Sequence, residues 1–222
     1  LAALHGGAPL TVAIPAMRAD PLPHPHIVAA YADAATDSAP PGLGGYCQGL
    51  FWYVELSPVH VQWLHITALE LLATGFNAIA FSHVLSPSQR TILLSDALAT
   101  PFALTRKRAR SPMLRHILQT LLEDAAYQGV ASFAEIAHIS GDANAAADAV
   151  SRGHWARFRN LCAQLHVRPQ QVPTPSSCHS LLSSALARAI HLGNPVRPST
   201  YRPPEPSLAL LLGGANKRPR SA

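Results

Sequence analysis

Four carboxylates stand out among the 12 Asp+Glu of this 222-residue chain, because each falls where an acid is costly unless it has a job. Asp33 closes the apolar run beginning at Ile27, and Asp96 closes a second run from Thr91. Glu70 lies beside the apolar stripe of a helical segment, next to Ile66 and Ala73. Asp148 is the lone acid among the alanines of AAADAVSR. An acid turned toward a core is expensive unless it is paired or binds a cation. Converging acids repel one another, and hard oxygen donors of this kind suit magnesium or manganese. Two such ions can activate water and stabilise the leaving oxygen in phosphodiester cleavage.

Ordinary roles remain open to each acid taken singly. Asp33 could cap a turn, Glu70 could face solvent if the helix phase is shifted by one residue, and Asp96 could be an N-cap. Asp148 and Arg152 form an i,i+4 pair. Their order along the chain, at two strand ends, on one helix and near the start of the last helix, is what favours a shared site.

The elements that would position them can be read from periodicity. Ile27–Asp33 reads as a strand, and GLGGYCQGLFWYVEL as two strands joined by a tight turn near Gly49. A helix spans about His65 to His83, with Ile66, Leu69, Ala73, Phe76 and Ala80 at 3–4 spacing. Thr91–Asp96 is short and apolar, as a strand buried on both faces would be. Pro112–Tyr127 reads as a helix with Ser111 at its N-cap and proline in its first turn. Ser132–Ile139 reads as a strand and Asn144–Leu165 as a final helix, while ATPFALTRKRAR is irregular for a helix. This succession predicts an α/β fold with a mixed five-stranded sheet flanked by helices. Ligands of such sheets collect at the carboxyl ends of strands, where Asp33 and Asp96 would lie.

Proline marks the expected boundaries. Residues 1–26 read as a linker, 27–165 as the domain, and the Pro/Ser/Arg-rich 166–222 as a largely disordered tail, with one possible short helix from Leu181 to Leu192. Leu1 in place of Met, and the lack of a basic-then-apolar order at the N-terminus, are expected of an internal piece of a longer chain.

Charge is divided along the chain. The net charge is +5, but residues 1–148 hold 7 Lys+Arg and 11 Asp+Glu, whereas residues 149–222 hold 10 and 1. Hydrophobic residues make up 48%, too many for a wholly disordered chain, and no apolar run is long enough to predict a membrane span. Cys47, Cys162 and Cys178 are far apart, and no Cys or His, including His24 and His26, has metal-site spacing. Such cysteine usage points to a reducing compartment, cytoplasmic or nuclear. KRPR near the C-terminus is a weak nuclear-import signal.

Residues 27–160, about three fifths of the chain, resemble the RNase H-like domain of retroelement reverse transcriptases, most nearly those of tyrosine-recombinase-type (DIRS-like) retrotransposons. Three segments carry the resemblance: YADAATDSAPPGLGGY (31–46), HITALELLA (65–73) and, most specifically, HISGDANAAADAVSRG (138–153). LLSDA (93–97) and RSPMLRHILQTLL (110–122) also fall where the family has comparable segments. The resemblance implies that Asp33, Glu70, Asp96 and Asp148 are catalytic, metal-binding carboxylates for two Mg2+ (or Mn2+) ions. It implies cleavage of the RNA strand of RNA–DNA hybrids, with an upstream reverse transcriptase segment of the same polyprotein as partner. Asp33 would bridge the ions, and Asp148 would help hold the one that generates the nucleophile.

The basic run Arg106, Lys107, Arg108, Arg110, together with Arg152, is then expected to bind nucleic acid through its phosphates. Arg157 and Arg159 would extend that surface, whereas Trp155 and Phe158 read as packing residues. Ala97 stands where relatives carry a polar residue, and the loop from His138 to Asn144 holds no second histidine. These departures motivate the alternative of a catalytically decayed nucleic-acid-binding module.

Overall fold

A computed structural model describes residues 27–196 of the protein. The N-terminal linker and KRPR lie outside the described residues. The described chain is α/β, with a six-stranded mixed sheet in the order β5-β4-β1-β2-β3-β6.

Three antiparallel strands begin the sheet: β1 (Ile27–Ala35), β2 (Gly42–Cys47) and β3 (Leu50–Glu55). The β2–β3 turn is two residues, Gln48 and Gly49, both at positive φ, which matches the right-handed twist of the strands it joins. A short helix α1 (Pro58–Trp63) leads into α2 (Ile66–Ala80). Strand β4 (Arg90–Ser95) then pairs parallel to β1 and is buried on both faces, as its apolar run predicts.

Helices α3 (Ala99–Arg106), α4 (Pro112–Glu123) and α5 (Ala125–Ala131) precede β5 (Glu135–His138), which pairs parallel to β4. A 3-10 turn (Gly141–Asn144) opens α6 (Ala145–Ser151), followed by α7 (Trp155–Gln164), β6 (Gln170–Gln171) and α8 (Ser176–Leu192).

Several boundaries differ from the sequence reading for local reasons. The helix expected over 112–127 breaks at Asp124, whose carboxylate caps the next helix by accepting from the Tyr127 N–H at 2.9 Å. The helix expected over 144–165 breaks at Gly153, which takes the left-handed conformation that ends α6. The segment read as irregular is helix α3, because Pro101 falls in its first turn, where no N–H is required of it.

The larger correction concerns the C-terminal boundary. Residues 166–196 are not tail: β6 adds a sixth strand beside β3, and α8 packs against α4, α2 and α1. Cys178, Leu181, Leu182, Ala185 and Ala189 of α8 are buried in the main core. The expected helix from Leu181 is thus the C-terminal part of a longer one. Helix α2 lies beneath it, between sheet and helices, and is buried from Ala68 to Ala80 all the way round. The opposite sheet face is covered by α6 and α7. There Trp155 packs against Phe51 and Tyr53, and Phe158 against Tyr46 and Phe51, as packing residues.

Candidate metal centre

The site forms where β4 leaves the sheet. Its pairing with β1 ends at Ala32 and Ser95, but β1 continues to Ala35. The Ala34 N–H therefore has no β4 partner, and Glu70 Oε1 accepts from it at 3.1 Å. Asp33 precedes that residue, and Asp96 follows Ser95 at the point where β4 ends. Carboxylate oxygens of Asp33, Glu70 and Asp96 lie within 4.8 Å of one another. Asp33 and Glu70 are each 5% exposed and Asp96 is half-buried.

Helix α6 supplies the support on the other side. The Ser151 hydroxyl donates to Asp33 Oδ2, and Asn144 Nδ2 donates to the Ala32 carbonyl at 2.9 Å and reaches Asp33 Oδ1 at 3.5 Å. This close seating depends on glycine. A Cβ at Gly44 would stand 2.5 Å from the Ser151 nitrogen, so a side chain there would push α6 off the sheet. On the third flank, His138 Nε2 lies 3.0 Å from the Asp96 carbonyl oxygen.

The electrostatics are those of carboxyls crowded in a dry place. Burial pushes Glu70 up to about 9, with the neighbouring Asp33 and Asp96 charges adding to the rise. Burial also lifts Asp33 to about 7; the Ser151 hydrogen bond counteracts it, and Asp96 and Asp148 reinforce it. Asp96 is raised, chiefly by burial. Such a group holds protons at neutral pH unless a cation replaces them. Two observations fit a cation better than a permanent proton. Glu70 Oε2 and Asn144 Oδ1 are buried with no hydrogen-bond partner, and the acidic oxygens are hard donors of the type divalent magnesium and manganese prefer. The triad could thus bind a metal ion.

Asp148 stands outside this group. Its Oδ1 accepts from Arg152 Nε at 2.6 Å and its Oδ2 from Arg157 at 2.5 Å. Burial alone would raise its pKa, but the two guanidiniums outweigh that and hold it below the ordinary aspartate value. Arg152 also pairs with Asp37 at 2.7 Å.

The basic run lies elsewhere on the surface. Arg106 ends α3, stacked 5.6 Å from the Phe102 ring centroid, and Lys107, Arg108 and Arg110 line a concavity completed by Arg115 of α4. A neighbouring hollow brings in His116 and Arg188 of α8.

The site also includes Ser151 and Asn144, which no sequence motif singles out. The available signal was their polarity: both sit among the alanines of the segment that holds Asp148, three residues after it and four before. Compared with protein-family models, curated proteins and solved structures, the chain matches none of them.

Proposed function

We propose that the protein is a metal-dependent ribonuclease H of a retroelement polyprotein, with an RNase H-like fold, cleaving the RNA strand of RNA–DNA hybrids. The observation that carries this reading is the meeting of Asp33, Glu70 and Asp96, from a strand, a helix and a second strand end, with their oxygens within 4.8 Å of one another. The succession of three antiparallel strands, helix, parallel strand, helices, parallel strand and helix supports the same reading.

Bound at the triad, two Mg2+ or Mn2+ ions would supply the acidity that generates a nucleophile from water and the charge that offsets the scissile phosphate. The protein's own residues do the positioning. Ser151 and Asn144 fix both oxygens of Asp33, and the Ala34 N–H fixes one oxygen of Glu70 so that the other is free to bind. Asp96, less buried than the other two, is the member nearest to solvent. Arg106, Lys107, Arg108 and Arg110, joined by Arg115, would neutralise backbone phosphates, with recognition by hybrid shape and 2′-hydroxyls rather than by base sequence. An upstream reverse transcriptase segment would deliver the hybrid.

Labelled RNA–DNA hybrid incubated with the protein and Mg2+ tests the reading. RNA-strand cleavage that EDTA, Asp33→Asn and Glu70→Gln each abolish is expected. Salt-sensitive hybrid binding without turnover would overturn the hydrolase and establish the non-cutting binding module instead.

A further inference from the structure

Helix α6 carries Asp148 one turn before Ser151, and the Ser151 hydroxyl is bound to Asp33. Residues three apart share a helix face, so Asp148 is directed to the same side as the triad. It is nevertheless held away, since each of its oxygens is taken by a different guanidinium. Arg152 and Arg157 on one side and Asp148 and Asp37 on the other make a closed, charge-balanced group. Its inner members are mostly covered, with Asp148 24% and Arg152 29% exposed, while Arg157 at 50% and Asp37 at 73% are open to solvent.

We propose that Arg152 and Arg157 form a phosphate-binding site that Asp148 and Asp37 close in the free protein, and that a nucleic-acid phosphodiester entering it releases Asp148 toward Asp33, Glu70 and Asp96. Guanidinium accepts phosphate in the same forked geometry as carboxylate, so the exchange keeps the arginines paired. The displaced Asp148 then loses its counter-charges beside three acids, and a divalent cation is the remaining partner. The Asp148 charge is already felt at Asp33 and Asp96. Nucleic acid and metal therefore tighten each other's binding, since such coupling is reciprocal.

This inference rests on the reading of the triad as a metal centre acting on nucleic acid, but its test reads binding, not turnover. Mn2+ is titrated calorimetrically into the full chain, with and without a short single-stranded DNA. Without DNA, Arg157→Ala should bind Mn2+ roughly two- to fivefold tighter than wild type, the range for giving up partly exposed ion pairs. Arg152→Ala, which opens the other half, should shift affinity in the same direction. The DNA should tighten Mn2+ binding to wild type and leave Arg157→Ala unchanged. Adding Asp148→Asn to Arg157→Ala should cancel the gain. Unchanged or weaker Mn2+ binding by both arginine variants, in a wild type that cleaves hybrid, overturns the closed site alone. A gain that survives Asp148→Asn overturns the part given to Asp148. Absence of Mn2+ binding in every protein overturns this inference together with the metal-dependent function.

Discussion

The N–H of Ala34 donates to Glu70 Oε1 at 3.1 Å, tying a helix carboxyl to the one stretch of the central strand that β4 no longer covers. The other Glu70 oxygen is buried and unpartnered. One contact thus settles a backbone donor and leaves an acceptor poised beside Asp33 and Asp96.

The stability of the metal-free protein should depend on pH. Asp33 and Glu70 have ordinary values of 3.8 and 4.5 but titrate at about 7 and about 9 in the folded protein. Between those limits the folded state keeps protons that the unfolded state has released, so metal-free stability falls as pH rises and levels off above about 9. Urea unfolding from about pH 5 to 9 should show a decline of several kcal/mol, at about 1.4 kcal/mol for each pH unit over which the folded state alone keeps a proton. Glu70→Gln should remove most of it. A flat or rising profile in the wild type would contradict the crowded-carboxyl account.

Metal binding should release protons for the same reason. At pH 7, Mg2+ or Mn2+ titrated in two buffers of different ionisation enthalpy should show net proton release, and the metal affinity should increase with pH. Equal heats in both buffers would mean that the triad is already ionised or is not the binding site.

Ser151 acts through Asp33, as a positioning residue. Its hydroxyl lowers the Asp33 pKa, so Ser151→Ala should raise it and weaken Mn2+ binding by roughly ten- to a hundredfold at pH 7. The loss should shrink at higher pH, where Asp33 ionises without help. A loss independent of pH would point to a general disturbance of α6.

Helix α8 should prove integral to the fold. Leu182 is 4% exposed in the main core, and Leu182→Ala should cost about 2–4 kcal/mol in chemical denaturation. A cost below about 0.5 kcal/mol would return residues 176–192 to the status of a tail.

Gly45 offers a test of the sheet-to-helix seating. A Cβ there would overlap Asn77 Oδ1 and the Trp52 indole nitrogen, which hydrogen-bond to each other at 2.9 Å. Gly45→Ala should therefore destabilise by about 1–3 kcal/mol and shift Trp52 fluorescence.

Much of the fold is legible in local chemistry. The two-residue Gln48–Gly49 turn, the both-faces-buried β4 and the Ser111–Pro112 helix start follow from residue type and short-range pattern. What escaped is long-range. Nothing near Ser176 says that α8 will cover α2 and α4, because its small, weakly patterned residues become core only once those helices present a groove. Proline density at 166–175 reads as tail, whereas Gln170 and Gln171 simply pair with the edge of β3.

The sequence by itself placed four scarce acids at two strand ends and on two helices, all four at positions where the resemblance implies metal ligands. Only the tertiary structure decided which of them meet. Glu70 and Asp148 look alike in sequence, each a helix acid among small or apolar neighbours. The end of β4 exposes the Ala34 N–H that captures Glu70, while Gly44 lets α6 settle on β2 with Asp148 within reach of Arg152 and Arg157. A carboxylate takes the nearest donors its backbone allows, and those donors come from segments more than thirty residues away for Glu70 and within nine for Asp148.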